Sequence, residues 1–179
     1  MGNPRKLLVL VLTLATPTVA AAQCLPTKEG TQPRFSIIIS APQPQAVAGA
    51  LITVKVSMTN KSDRDISIWR ENGEQGGRVY KVDVHDDTGK TATETKLGFV
   101  LNGHADRSQL SALSLDDLHL GFSGACVVLK SGKTLTDEVN VSRLYDLSKP
   151  GKYSIQLSRL DEGSGTFVKS NTLNVAVTP

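Results

Sequence analysis

The sequence predicts an all-β sandwich, and three observations predict it. Apolar and polar side chains alternate in several short runs, turn-forming residues separate those runs, and helix signals are almost absent. The chain has 179 residues, 39% apolar and 21% charged, the composition of a soluble protein with one principal core. Its formal net charge is only +3. A nucleic-acid protein or a polybasic membrane binder needs a surplus of Lys and Arg on one face, so both classes are disfavoured. Two cysteines and three histidines are too few for a dense disulfide or metal scaffold.

The elements follow in chain order. Residues 1–22 read as an export signal: Arg5 and Lys6 form the positive start, Leu7 to Ala15 the apolar stretch, and Ala20 and Ala22 an A-x-A cleavage site. Removing 22 residues leaves 157, with 18 basic side chains against 17 acidic once Arg5 and Lys6 are gone. The apolar stretch is shorter than the roughly 20 residues that cross a bilayer, and no later one approaches that length, so no membrane span is expected. The expected location is periplasmic or secreted. Cys24 follows Gln23 rather than the small residue that lipid attachment favours.

Residues 23–34 hold two prolines and a glycine without periodicity and read as an extended arm, with the domain at 35–179. In an oxidising compartment Cys24 and Cys126 can pair and staple this arm to the domain, a loop of about 100 residues giving up to ~4.7 kcal/mol on the chain-entropy model. Two unpaired thiols is the alternative. A catalytic thiol needs a base, and neither cysteine has a histidine beside it in sequence.

The clearest strand sets Ile52, Val54, Val56 and Met58 against Thr53, Lys55, Ser57 and Thr59. A second sets Tyr80, Val82 and Val84 against Lys81, Asp83 and His85, and Asp86-Asp87-Thr88-Gly89 then turns the chain into a hairpin. Further strands are expected at Phe35 to Ser40, Ile66 to Arg70, Thr91 to Thr95, Ala125 to Leu129, Leu135 to Val141, Lys152 to Leu160 and Thr166 to Val177. Seven to nine antiparallel strands result. The segment 97–124 breaks the pattern; its Leu110, Leu113, Leu115, Leu118 and Leu120 call for burial, Ser114 with Asp117 gives a weak helix start, and a short helix or irregular insertion is expected.

The stretch from Val139 to Leu157 carries most information. A strand ends, Leu144 and Leu147 return towards the core, Pro150 and Gly151 turn the chain, and Tyr153, Ile155 and Leu157 open a new alternating strand. It resembles the E to F corner of an immunoglobulin-like sandwich. The resemblance implies that Tyr153 is the corner tyrosine bonded to upstream main chain, that Ile155 replaces the second core cysteine, and that Trp69 is the core tryptophan of strand C. No cysteine lies in the strand around Val54, so the inter-sheet disulfide of antibody domains is absent. A second resemblance, to BsuPI-type proteinase inhibitor domains, rests on Ile52 to Met58 running into Asn60-Lys61-Ser62-Asp63, on Val82 to Gly89, and on Leu129 to Gly132 leading to Pro150 to Tyr153. It implies protease binding, but no reactive-loop residue matches. The same layout is similar to accessory domains that precede some secreted metallopeptidases.

Each residue cluster of a type that carries chemistry has a plainer alternative. His85-Asp86-Asp87, His104 with Asp106, and Asp116 and Asp117 with His119 offer cation ligands, yet they fall in a turn and a polar loop. Gly121 to Ala125 and Gly163-Ser164-Gly165 are not the G-x-S-x-G elbow of serine hydrolases. Asn72 to Gly77 is glycine-rich but lacks the Lys-Ser or Lys-Thr that grips phosphate. Asn60 and Asn140 satisfy the glycosylation sequon. Aromatic residues are 4% of the chain, too few for a sugar-stacking platform.

No cofactor and no enzymatic activity are expected. The leading expectation is an exported, non-catalytic module that contacts an unidentified protein partner through its loops, chiefly Glu71 to Arg78 and Gly98 to Gly124. The contact residues expected there are Glu71, Asn72, Arg78, His104, Asp106, Leu110, Leu113 and His119. A proteinase inhibitor, a structural accessory domain, and a hydrolase using His104 or His119 with a carboxylate are the alternatives.

Overall fold

In the computed structural model, which describes residues 24, 30–43, 45–71, 79–104 and 124–179, the alternating runs become ten strands. They are β1 (Phe35–Ser40), β2 (Gln45–Val47), β3 (Thr53–Asn60), β4 (Ile66–Glu71), β5 (Lys81–His85), β6 (Gly124–Leu129), β7 (Thr134–Asn140), β8 (Gly151–Asp161), β9 (Thr166–Lys169) and β10 (Leu173–Thr178). One short helix, α1, covers Lys96–Leu101.

Antiparallel ladders place β3 between β1 and β7. A second sheet runs β2-β10-β8-β5, with β9 beside the end of β8. Strand alternation turns one face of each sheet inward. Ile37, Val54, Val56, Met58 and Val139 from the first sheet meet Val82, Val84, Ile155, Leu157 and Val175 from the second in one buried cluster. Each such side chain gains about 1.5–3 kcal/mol by leaving water. The order 1-3-7 facing 10-8-5 matches strands A-B-E facing G-F-C, so the fold is an all-β, immunoglobulin-like sandwich.

The remaining strands, β4 and β6, pair with each other. They continue β3 and β7, so a single long ribbon of two antiparallel segments runs through both ladders, with two more residues on the β3–β4 side at the bend. Asn60 pins that bend. Its wholly buried amide donates to the carbonyls of Arg64 (2.7 Å) and Leu129 (2.9 Å), and its Oδ1 accepts the Ser62 backbone N–H. A buried amide with its partners in place fixes local geometry.

Four expectations need correction. Trp69 is not a core tryptophan: Ile66 and Ile68 take the inward positions of β4, the next residue faces outward, and Trp69 is 40% exposed. The strand beside β8 is β5 rather than β4, and the large aromatic enclosed there is Tyr80. Thr91 to Thr95 forms no strand. The Asp86 carboxylate does close the turn by accepting from Thr88 and Lys90, but the returning chain makes only single bridges before Thr95 caps α1. Thr166 to Val177 is two strands, because one extra residue bulges between β9 and β10. There Ser170 bonds Leu157 through both its backbone and its hydroxyl, while the Asn171 amide imitates a strand edge against both backbone groups of Ile39. Finally, β2 was not expected at all; it lies parallel along β10. The Ser114 helix start and the leucines from Leu110 to Leu120 lie outside the described residues, as do residues 1–22.

Candidate functional site

β8 enters the core at a corner and leaves it at a cleft. At the corner a short 3-10 turn, Val141–Arg143, brings Leu144 and Leu147 inward, and the Tyr153 hydroxyl donates to the Lys149 carbonyl at 3.0 Å across Pro150 and Gly151. Ile155 follows, wholly buried.

At the far end the buried residues become polar. Arg159 is 7% exposed and Asp161 is fully enclosed. The Asp161 carboxylate accepts from Arg34 Nε (2.9 Å), Nη2 (2.8 Å) and backbone N–H (2.8 Å), from the Gly163 N–H and from the Ser164 hydroxyl. Burial pushes its carboxyl up, but the hydrogen bonds from Arg34 and Ser164 outweigh that and hold it below the usual carboxylate range. Gly163 is needed here, since a β-carbon would run into the Arg34 guanidinium.

Among the described residues Arg159 makes no ion pair with a carboxylate. Its guanidinium lies 5.3 Å from the centre of the Tyr80 ring and interacts with the Tyr80 hydroxyl, Nη2 donates to the Trp69 carbonyl, and Nη1, closed off from solvent, has no hydrogen-bond partner among the described residues. Tyr80 donates its hydroxyl to Asp137 (2.9 Å), whose other oxygen takes Arg70 Nε (2.7 Å). Burial, and next the charge of Asp137, raise the Tyr80 hydroxyl far above the tyrosine range, so it remains a donor. A cation over an aromatic face is partly compensated, but a buried donor without an acceptor carries a desolvation cost.

These groups wall a cleft of about 270 Å³ lined by Arg34, Phe35, Ser67, Ile68, Trp69, Val79, Arg159, Leu160, Asp161 and Glu162. The Trp69 ring is held against Gly124, where any side chain would collide with it. Leu160 and its cross-strand neighbour Phe167 are 42% and 61% exposed beside the opening. A larger groove, about 590 Å³ between Ala41 and Thr53 and against β10, has no charged side chain in its lining.

The residues expected from sequence fall around this site unevenly. Glu71 ends β4, half-buried, two residues beyond Trp69. Asn72, Arg78, Asp106, Leu110, Leu113 and His119 lie outside the described residues, with Asp116, Asp117 and the glycine-rich run to Gly77. The His104 imidazole is exposed, 2.9 Å from Glu94 Oε2 and edge-on to Phe99, while Asn102 joins Glu94 Oε1 to the Tyr145 hydroxyl. This chain of contacts fastens the end of α1. Asp86 serves its turn and Asp87 is exposed; among the described residues no three His, Cys, Asp or Glu side chains converge. Ser164 is bound to Asp161 in the turn after β8. Asn60 is buried, and the Asn140 side chain caps the 3-10 turn by accepting the Arg143 N–H. Of the two readings of the cysteines, the structure has the pair: Cys24 and Cys126 are joined, with Cα atoms 5.5 Å apart, and Cys126 sits directly across from Trp69. Among the described residues no helix is long and apolar enough to cross a membrane.

Sequence reasoning missed Arg159, Asp161 and Tyr80 as neighbours. The available signal was the period of two in β8, which puts Arg159 and Asp161 on the inward face with Tyr153, Ile155 and Leu157.

No protein-family model matches the chain, and no curated protein matches it. Among solved structures it is similar to the CARDB domain of the PF1109 protein of Pyrococcus furiosus. The solution structure of that domain gives a TM-score of 0.37 at 16% identity, covering 84% of this chain and 97% of that one. Its crystal structure with di-metal ions gives 0.35 at 14%, covering 87% and 97%.

Proposed function

We propose that the protein is an exported, non-catalytic immunoglobulin-like module that works by contacting another protein, and that the contact is made at the Trp69–Arg159 cleft. One observation carries this reading: three large apolar side chains, Trp69, Leu160 and Phe167, are exposed together beside a cleft lined by Trp69, Arg159 and Leu160. Aromatic side chains and arginine are the residues most enriched where interfaces concentrate their energy. Export accords with the Cys24–Cys126 bridge, since such bonds persist in oxidising compartments. The inhibitory role implied by the BsuPI-type resemblance has no reactive-loop residue to rest on.

The test is recovery of envelope proteins on purified wild-type chain, on Trp69→Ala and on Phe99→Ala, the last an exposed aromatic on α1 away from the cleft lining. A partner held by wild type and Phe99→Ala but lost by Trp69→Ala is the expected result. Equal recovery on all three removes the cleft from the function.

A further inference from the structure

We propose that the outer edge of β6 pairs with the same edge of a second copy of this chain, joining their β4–β6 ribbons into one continuous antiparallel sheet across a two-fold axis. The contact is separate from the Trp69–Arg159 cleft, which lies on the β4 side of the ribbon. It begins from the backbone. Among the described residues β4 and β6 pair only with each other, so each keeps an outer edge. The Trp69 carbonyl turns away from β6 to accept from Arg159, and Trp69 lies directly opposite Cys126. In an antiparallel ladder, opposed residues that exchange no hydrogen bonds both point their N–H and C=O groups outward, and the pattern recurs at every second residue. Cys126, and with it Gly124 and Val128, therefore present their backbone groups along the far edge of β6. None of these groups has a hydrogen-bond partner among the described residues.

A bare strand edge is a template for another strand, and natural sheets blunt it with charge, proline, covering groups or short strands. The other edges here are blunted in those ways. The Asn171 amide plugs β1 at Ile39, the Ala92 N–H and the Tyr145 hydroxyl take carbonyls of β5, and Arg70 takes the Thr136 carbonyl of β7, which also carries Asp137 and Glu138. β2 covers β10 and has only three residues, and β9 has four. β6 differs: its six residues, Gly-Ala-Cys-Val-Val-Leu, include neither charge nor proline, and Val128 is 60% exposed. That composition selects the occupant. Laid antiparallel to itself with the axis through Val127, β6 sets Cys126 against the second copy's Val128 and Val128 against the second copy's Cys126. The outward backbone groups then meet, no like charges oppose, and Val128 is covered. Such an isologous contact closes on itself. The Cys24 bridge does not obstruct it, because side chains project from the face of a sheet and not along its hydrogen-bonding edge. A two-stranded ribbon is also marginal alone and gains from further strands.

The test is sedimentation equilibrium of the full mature chain, its disulfide intact, from about 1 µM to about 1 mM, where contacts of modest size associate. A reversible rise from one chain to two is expected. Val128→Lys sets like charges on either side of the axis, and Val128→Pro removes an outward N–H while sparing the ladder to β4. Each should weaken association at least about tenfold. Ile38→Lys, which changes an equally exposed residue on the plugged strand β1, should leave association unchanged. Amide hydrogen exchange of the wild type supplies a readout that needs no variant to fold: the Cys126 and Val128 amides should gain protection as concentration rises, and those of β2 and β7 should not. A single chain at every concentration, a dimer that survives both Val128 changes or is broken equally by Ile38→Lys, or concentration-dependent protection at another edge would each overturn the proposal. So would protection of the β6 edge only by a protein recovered from the envelope. The cleft reading is untouched by any of these outcomes, because it is tested at Trp69.

Discussion

The two halves of β8 share one strand and one inward face but use it differently. Between Gly151 and Leu157 the inward residues are Tyr153, Ile155 and Leu157, apolar but for a hydroxyl bonded four residues upstream. Between Ser158 and Asp161 they are an arginine and an aspartate, each of which needs partners from distant parts of the chain. The first half is held by packing, which is non-directional and tolerant of neighbours. The second is held by directed contacts that fail when a single partner is lost. A strand can thus bury its full length, with fold specified at one end and chemistry stored at the other.

The comparison can be broken most sharply at its apolar end. Ile155→Ala removes the side chain of a wholly buried core position and should cost about 4 kcal/mol in denaturant unfolding, the range for large-to-small changes in well-packed cores. A loss under about 1 kcal/mol would mean that the core relaxes around it, as poorly packed sites do. At the polar end, Asp161→Asn should cost about 3 kcal/mol by leaving Arg34 without its carboxylate. This change also carries a pH signature. The Asp161 carboxyl is held below the usual range in the folded state, so its contribution is present above the unfolded value and is lost as the medium acidifies. Wild type should therefore lose stability below about pH 4, and the Asn variant should show a shallower acid slope. Parallel acid curves would show that the ion pair does not set the response. The smallest effect is expected at the corner: Tyr153→Phe deletes one hydrogen bond and should lower stability by about 1 kcal/mol.

The same contrast explains what the sequence disclosed. The apolar half of β8 was legible because Pro150-Gly151 marks a turn and three large residues then recur at a spacing of two. Val54 and Val56 were legible for the same reason. Arg159 and Asp161 continue that spacing, but charged residues approaching a glycine-containing turn read as solvent-facing. Their burial depends on Arg34, 127 residues away from Asp161 in sequence, and on Tyr80, whose proximity no local period reveals. Trp69 was misplaced for a related reason. A tryptophan among isoleucines suggests a core position, and only the parity fixed by Ile66 and Ile68 turns it outward. The β9–β10 bulge went unread because the side chains of Ser170 and Asn171 bond to backbone on other strands rather than to their own neighbours.

The bent ribbon pinned by Asn60 bears on how the molecule comes apart. Because the same pair of chain segments runs through the β1-β3-β7 sheet and onward as the β4–β6 pair, neither portion can detach without straining the other at the bend. Unfolding should therefore be all-or-none, with Trp69 emission at one end of the ribbon and far-ultraviolet dichroism of the whole molecule tracing coincident transitions.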